Sequence, residues 1–155
     1  MLKEILTRAV LAKGKVGTSN VEKIELKNNP SKLVGCWIIN NNFLSIVENS
    51  KVYIMGSYDI HIWYAINNDK DTAIEKITME YKDLVEFDEK FNTDEGEFKL
   101  YCNEYPHCIG MELVDNNALV TVNKKVLVDV IGETKLMVDV NETFNEIKID
   151  TDYMW

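Results

Sequence analysis

The sequence predicts an all-β fold, a single-domain β-sandwich of about ten mostly antiparallel strands, and three observations predict it. Lys51 to Tyr64 (KVYIMGSYDIHIWY) alternates without a break: Val52, Ile54, Tyr58, Ile60, Ile62 and Tyr64 fall on one face, and Tyr53, Met55, Ser57, Asp59, His61 and Trp63 on the other. Val128 to Val140 (VDVIGETKLMVDV) repeats the layout 76 positions after Val52 without a gap, so that Gly132 answers Gly56 and Val138 answers Ile62. Alternating segments bounded by Asn, Asp, Gly and Pro then recur nearly to the end of the chain. A glycine inside a strand marks a bulge or a bend, so the two long strands are expected to bend at Gly56 and Gly132, each serving two packing environments. Their likeness is either that of any two long bent strands or that of a pair packing across one core.

The elements follow in order. The apolar spacing of Ile5, Leu6, Ala9 and Val10 suits a helix or a strand over Glu4 to Lys15, and the Lys-Gly-Lys that follows favours the strand. Val21 to Leu26 alternates imperfectly, and Asn28-Asn29-Pro30-Ser31 reads as a turn. Leu33 to Ile39 is nearly continuous in apolar residues, the pattern of a strand buried on both faces. Asn40-Asn41-Asn42 is read as turning the chain toward Phe43 to Val47. After the long strand, Asn67 to Asp71 makes a polar loop, and Ile74 to Phe87 alternates through Ile77, Met79, Tyr81 and Val85. Phe98, Leu100 and Cys102 point inward in the next strand, and Pro106 punctuates the chain before Cys108 to Val114. Asp115-Asn116-Asn117 fits a tight hairpin turn, in which Asn and Asp supply positive φ. Leu119 to Val122 and Val126 to Val140 complete the sheets. With two prolines in the chain, no segment reads as an interdomain linker: residues 1–140 make one sandwich domain, and 141–155 a short acidic C-terminal tail.

At 155 residues one domain can bury roughly 70% of the surface exposed by the unfolded chain, so the fold is expected to stand without metal or disulfides. No apolar run reaches the ~18 residues of a membrane span, and MLKEILTRAV lacks the apolar core of a signal peptide, so a cytosolic start and no membrane insertion are expected. The net charge of −9 argues against nucleic-acid and anionic-membrane partners. Arg8 is the only arginine, which disfavours phosphate and carboxylate clamps. The charge is uneven. Met1 to Lys32 carries seven positive residues, among them Lys3, Arg8, Lys13 and Lys15, against three acids, a net of +4; Glu80 to Glu97 carries eight acids against two lysines, a net of −6. Such asymmetry suits solvated faces, and it also lets one end of a molecule attract its neighbour.

Catalytic sets are thin. Asp59 and His61 share a strand face, but no nucleophile is implied beside them, and a plain surface histidine is the simpler reading. Cys102, His107 and Cys108 fit no closed zinc spacing and lack a fourth ligand. No phosphate loop, Cys-x-x-Cys pair or nucleophile elbow occurs, and neither cofactor nor metal is implied. Three unevenly spaced cysteines make no disulfide framework. Cys36 lies in an apolar run and is expected to be buried and inert; Cys108, beside His107, is the candidate accessible thiol. The aromatics are more informative. Tyr53 and Trp63 oppose Tyr58 and Tyr64 on the long strand, so either two layers sandwich it or one face is an association surface.

The blocks AVLAKGK (Ala9 to Lys15), LVGCWIIN (Leu33 to Asn40), GSYDIHIWY (Gly56 to Tyr64), the Pro106-x-Cys108 step and VIGETK (Val130 to Lys135) resemble, in colinear order over nearly the whole chain, the bacterial spore outer-coat morphogenetic protein CotE family. The chain departs from that family at Asn41, where relatives often carry histidine, in the stretch Glu86 to Glu97, and in a tail cut to Asn141 to Trp155. The resemblance implies a structural, non-enzymatic, self-associating protein that gathers in the mother-cell cytoplasm during sporulation and then in the spore coat, where it organises outer-coat assembly and contacts other spore coat proteins. Combined with the charge split and the spare aromatics, it puts self-association on Lys3, Arg8, Lys13 and Lys15 of one molecule, meeting the acidic stretch of the next, with Tyr53 and Trp63 as the apolar part. The alternative is a small-molecule or carbohydrate-binding sandwich in which Trp37, Trp63 and His61 line a groove.

Overall fold

The computed structural model describes residues 2–141 and 146–149, in which every regular element is a strand. In chain order these are β1 (Leu2–Glu25), β2 (Lys32–Glu48), β3 (Lys51–Ile66), β4 (Asp71–Leu84), β5 (Glu86–Phe87), β6 (Glu97–Val114), β7 (Asn117–Asn141) and β8 (Glu146–Ile149). One sheet runs β5-β1-β7-β6, with the short β8 added to the end of β7; the other runs β2-β3-β4, and every pairing is antiparallel. Seven strands and the short β8 thus stand where about ten were expected, because several turn signals lie inside continuous strands. Asn40-Asn41-Asn42 does not reverse the chain: β2 passes through it with a register shift between Ile39 and Asn42, and Asn40 takes φ 57°. Pro106 does not end a strand either. It sits in β6, an edge strand, between the register breaks at Glu104 and His107, where a residue with no N–H is tolerated. Likewise Leu119–Val122 and Val126–Val140 are parts of the single strand β7.

The polar punctuation that does reverse the chain has the left-handed backbone a tight turn needs. Asp115 has φ 54° in the β6–β7 hairpin, Asn49 and Ser50 have φ 51° and 60° between β2 and β3, and Asn67, Asn68 and Asp69 do the same between β3 and β4.

The sheets pack face to face through their central strands, β3 and β7. Every residue placed on the apolar face of β3 from sequence is buried, from Val52 to Tyr64. They divide at Gly56: Tyr58, Ile60, Ile62 and Tyr64 join Ala118, Val120 and Val122 in one core cluster, while Val52 and Ile54 join Val126 and Val128 in another. The irregularity that each glycine marks lies in the neighbouring strand. Gly56 faces the β2 break at Asn42, and Gly132 faces the β1 break around Leu11. Full burial of each Ile or Val in these clusters contributes roughly 1.5–3 kcal/mol relative to exposure.

Two features close the sides of the sandwich. Beyond Leu84 the chain crosses between sheets: Val85 donates to the Val52 carbonyl at 2.9 Å, then Glu86 and Phe87 pair with Lys15 and Gly14 of β1. On the other side β2 lies along β6, with Asn41 Nδ2 directed at Cys102 Sγ at 4.0 Å. Leu33–Ile39 is not buried on both faces as its composition suggested. It belongs to an edge strand on whose outer face no other described strand packs, and Val34, Trp37 and Ile39 are each about 40% exposed while Cys36 and Ile38 turn inward. Within 141–155, residues Glu146–Ile149 pair with Val138–Asn141; the rest of the expected acidic tail lies outside the described residues.

Candidate functional site

The outer face of the three-stranded sheet is built by the alternation that fills the core. Since inward positions on β3 are the even-numbered ones, Tyr53, Met55, Ser57, Asp59, His61 and Trp63 point out, together with their in-register partners on β2 and β4. At one end Trp37, Ile39, Trp63 and Ile74 are exposed and cluster around Gly35 and His61. Gly35 leaves a notch between the indoles: a Cβ there would sit 3.8 Å from Trp37 Cζ3 and 4.0 Å from Trp63 Cε3. His61 meets Trp37 edge to face, with ring centroids 6.0 Å apart. At the other end Leu44, Met55 and Leu84 are exposed beside Tyr53, and Lys82 Nζ lies 4.8 Å from the Tyr53 ring while pairing with Glu48 at 2.5 Å.

Between the two apolar ends lies a polar band. The Asp59 carboxylate accepts from Asn40 Nδ2 at 2.8 Å and Thr78 Oγ1 at 2.6 Å, and these two bonds hold its pKa below the ordinary value. Asp59 is therefore occupied by Asn40 and Thr78, and the arrangement gives no Asp–His relay. A recess of about 560 Å³ opens next to this band, lined by Asn42 to Leu44, Met55 to Ser57 and Glu80 to Lys82. Trp37, His61 and Trp63 stand outside it.

Tyr53 and Trp63 thus share a face, but they stand at its opposite ends, roughly 30 Å apart at ~3.3 Å per residue. The four basic residues lie on β1, in the other sheet. Lys3 is on the exposed first turn-free stretch of that strand, and Arg8 pairs with Glu97 at 2.5 Å. The Lys13 backbone is held by Asp88, its N–H donating to the side-chain Asp88 Oδ1 at 2.8 Å and its carbonyl accepting from Asp88 N at 3.0 Å. Lys15 lines a groove with Lys82, Asp83, Glu86 and Lys125. The basic and acidic segments are therefore neighbours within one chain, since β5 lays the acidic stretch against β1.

Sequence reasoning missed Lys124. It is 5% exposed, in the core-facing row of β7 between Val122 and Val126. Its Nζ pairs with Asp83 Oδ2 at 2.9 Å, donates to Thr18 Oγ1 at 2.5 Å and lies 4.3 Å from the Tyr81 ring centroid. Tyr81 in turn donates to Asn41 Oδ1 at 3.0 Å. The signal was the even-numbered apolar row Ala118, Val120, Val122, Val126, Val128, which puts residue 124 inward if the strand does not break there.

The three cysteines are free and half-buried. Burial pushes the Cys36 thiol up to about 12, with the neighbouring Cys108 as the next cause, and burial also raises Cys102. Cys108 Sγ donates to the Gly110 carbonyl at 3.3 Å. His107 uses Nδ1 on the Tyr105 carbonyl at 2.8 Å, with Nε2 3.3 Å from Glu104. Among the described residues no three His, Cys, Asp or Glu side chains gather as a metal site, and no helix is long and apolar enough to cross a membrane.

The model of the outer spore coat protein E (CotE) family matches residues 1–155, and the chain belongs to that family. No curated protein and no solved structure matches the chain. Family membership makes it an outer spore coat protein.

Proposed function

We propose that this protein is a self-assembling structural scaffold of the endospore coat, one that collects in the mother-cell cytoplasm, forms a homo-oligomer or lattice, and organises outer-coat assembly by holding other spore coat proteins. The observation that carries the reading is the outer face of the three-stranded sheet. Trp37, Ile39, Trp63 and Ile74 are exposed together at one end, and Leu44, Met55 and Leu84 at the other. Exposed apolar clusters separated by a polar band suit a protein interface, in which buried aromatics supply most of the binding energy and a fixed polar group sets register. Lys3, Arg8, Lys13 and Lys15 supply the electrostatic part, with Tyr53 and Trp63 in the apolar part. Contacts between unlike surfaces need not close, so they extend into sheets or cages.

The test compares two variants. Trp37→Glu with Trp63→Glu places charge on exposed positions, so the β circular-dichroism signal should persist while large species disappear from light scattering and negative-stain images. The quadruple Lys3→Glu, Arg8→Glu, Lys13→Glu, Lys15→Glu variant should weaken assembly, as should added salt, because exposed charges are screened beyond ~8 Å at physiological ionic strength. If only the tryptophan variant fails to assemble, the aromatic face alone holds the subunits. Monodisperse wild-type protein at high concentration would overturn the scaffold reading and return the carbohydrate-binding one.

A further inference from the structure

Two of the three cysteines meet across the side of the sandwich where β2 lies along β6. Cys36 is in register with Ile62 of β3, and Cys108 with Val122 of β7. Residues paired across a ladder point to the same face, and Ile62 and Val122 belong to one core cluster against which both cysteines pack. The thiols therefore converge from opposite sheets. Each stands beside a register break, at Leu33/Gly35 in β2 and at Cys108/Gly110 in β6, where the backbone is free of strict ladder geometry. A side chain added at Gly110 would meet nothing within 4 Å, so that break has room to shift. Cys108 is close enough to Cys36 to be, after burial, the next cause that raises the Cys36 thiol. Cys102 is directed elsewhere, toward Asn41.

We propose that Cys36 and Cys108 close an intramolecular disulfide when the protein meets a peroxide, stapling the edge strand of the three-stranded sheet to the edge strand of the other. Cys36 stays protonated near neutral pH, so the chemistry starts at Cys108. Its thiolate attacks one oxygen of hydrogen peroxide, the O–O bond breaks, and sulfenic acid and hydroxide form; that oxygen is reduced as the sulfur is oxidised. The Cys36 sulfur then attacks the sulfenic sulfur, the S–O bond breaks, and the departing oxygen leaves as water with the Cys36 proton. Two thiols and one peroxide give one disulfide and two waters. The half-burial of both sulfurs admits a small oxidant and hinders a second protein molecule, so the link forms within a chain whether or not the chain assembles.

The experiment treats reduced full-length protein with hydrogen peroxide, alkylates the remaining thiols and digests without reduction. The expected product is a Cys36–Cys108 linked peptide, with Cys102 alkylated, an intact mass lower by two hydrogen atoms, and a yield independent of protein concentration. Cys102→Ser should form the link and Cys108→Ser should not. The linked protein should unfold on the order of 10 °C higher, and dithiothreitol should reverse the gain, since a cross-link closing so long a loop constrains the unfolded chain. Links through Cys102, dimers alone, or a Cys108 oxidised beyond sulfenic acid while Cys36 remains alkylatable would overturn the proposal.

Discussion

The strands β3 and β7 carry the same glycine at matching places in a repeated pattern and use it differently. Each is the central strand of its sheet, and each glycine faces a register break in a neighbour. At Gly56 the intruding atoms are polar: a Cβ there would lie 2.5 Å from the Asn42 carbonyl oxygen and 2.5 Å from the Tyr81 hydroxyl. At Gly132 the intruder is the apolar tip of Leu11. β7 puts its own polar group elsewhere, at Lys124, and the two interruptions meet: the Tyr81 hydroxyl lies over Gly56 while its ring faces the Lys124 ammonium. The two core clusters are thus separated by a polar seam that draws one device from each strand. A repeated sequence pattern gave two strands the same packing role without giving them the same chemistry.

The largest effect should come from the β7 side of the seam. Lys124→Ala removes the partner of Asp83 and of Thr18 and opens a cavity beside Tyr81, so it should cost about 3 kcal/mol in urea unfolding. Asp83 retains some contact with water, which keeps the cost at the lower end for a broken buried pair. In a double-mutant cycle with Asp83→Asn the two losses should fall short of additive by at least about 1 kcal/mol. Strict additivity would mean that Lys124 is held by packing alone.

Next in size is the contrast between the glycines. Gly56→Ala must displace a backbone carbonyl and a phenol that is held by its hydrogen bond to Asn41, and should destabilise by about 2 kcal/mol. Gly132→Ala meets the end of a flexible leucine, and the loss of glycine's freedom in the unfolded chain offsets part of the strain, so the net cost should stay under about 1 kcal/mol. Equal costs would erase the distinction drawn between the two strands.

Much of this was legible in the sequence. Period two assigned every buried residue of β3 from Val52 to Tyr64 because that strand has partners on both sides, and it missed only Ala65, where Tyr64 and Ala65 are buried in succession. The strand count was not legible, because Asn, Gly and Pro carry the same local signal in a bulge as in a turn: Asn40 takes the left-handed φ inside β2 that Asp115 takes in a hairpin. Leu33–Ile39 misled for a different reason. Apolar composition reports that a surface prefers to be covered, and the described residues leave Trp37 and Ile39 each about 40% exposed. Lys124 was hidden by the habit of reading Lys-Lys as a break, although the row it interrupts is in phase on both sides.

The smallest effect at neutral pH, and the one that best isolates the β3 side of the seam, is alkaline. Tyr58 and Tyr81 lie with ring centroids 5.7 Å apart, and both phenols are pushed up to about 12. Burial is the first cause in each; Glu22, Tyr81 and Asp83 add to it for Tyr58, and Asp83 and Cys102 for Tyr81. The unfolded chain ionises its tyrosines near pH 10, so it releases these two protons earlier than the folded protein. Their contribution to stability is then fully present below about pH 10 and is lost as pH rises toward 12. Phenolate absorbance should show Tyr58 and Tyr81 ionising late, with unfolding midpoints falling over the same window. Tyr58→Phe should remove one late proton and flatten the fall. Because lysines also lose their charge there, the informative quantity is the difference between wild type and variant, and Gly132→Ala should leave that difference unchanged while Gly56→Ala, by moving Tyr81, should shrink it.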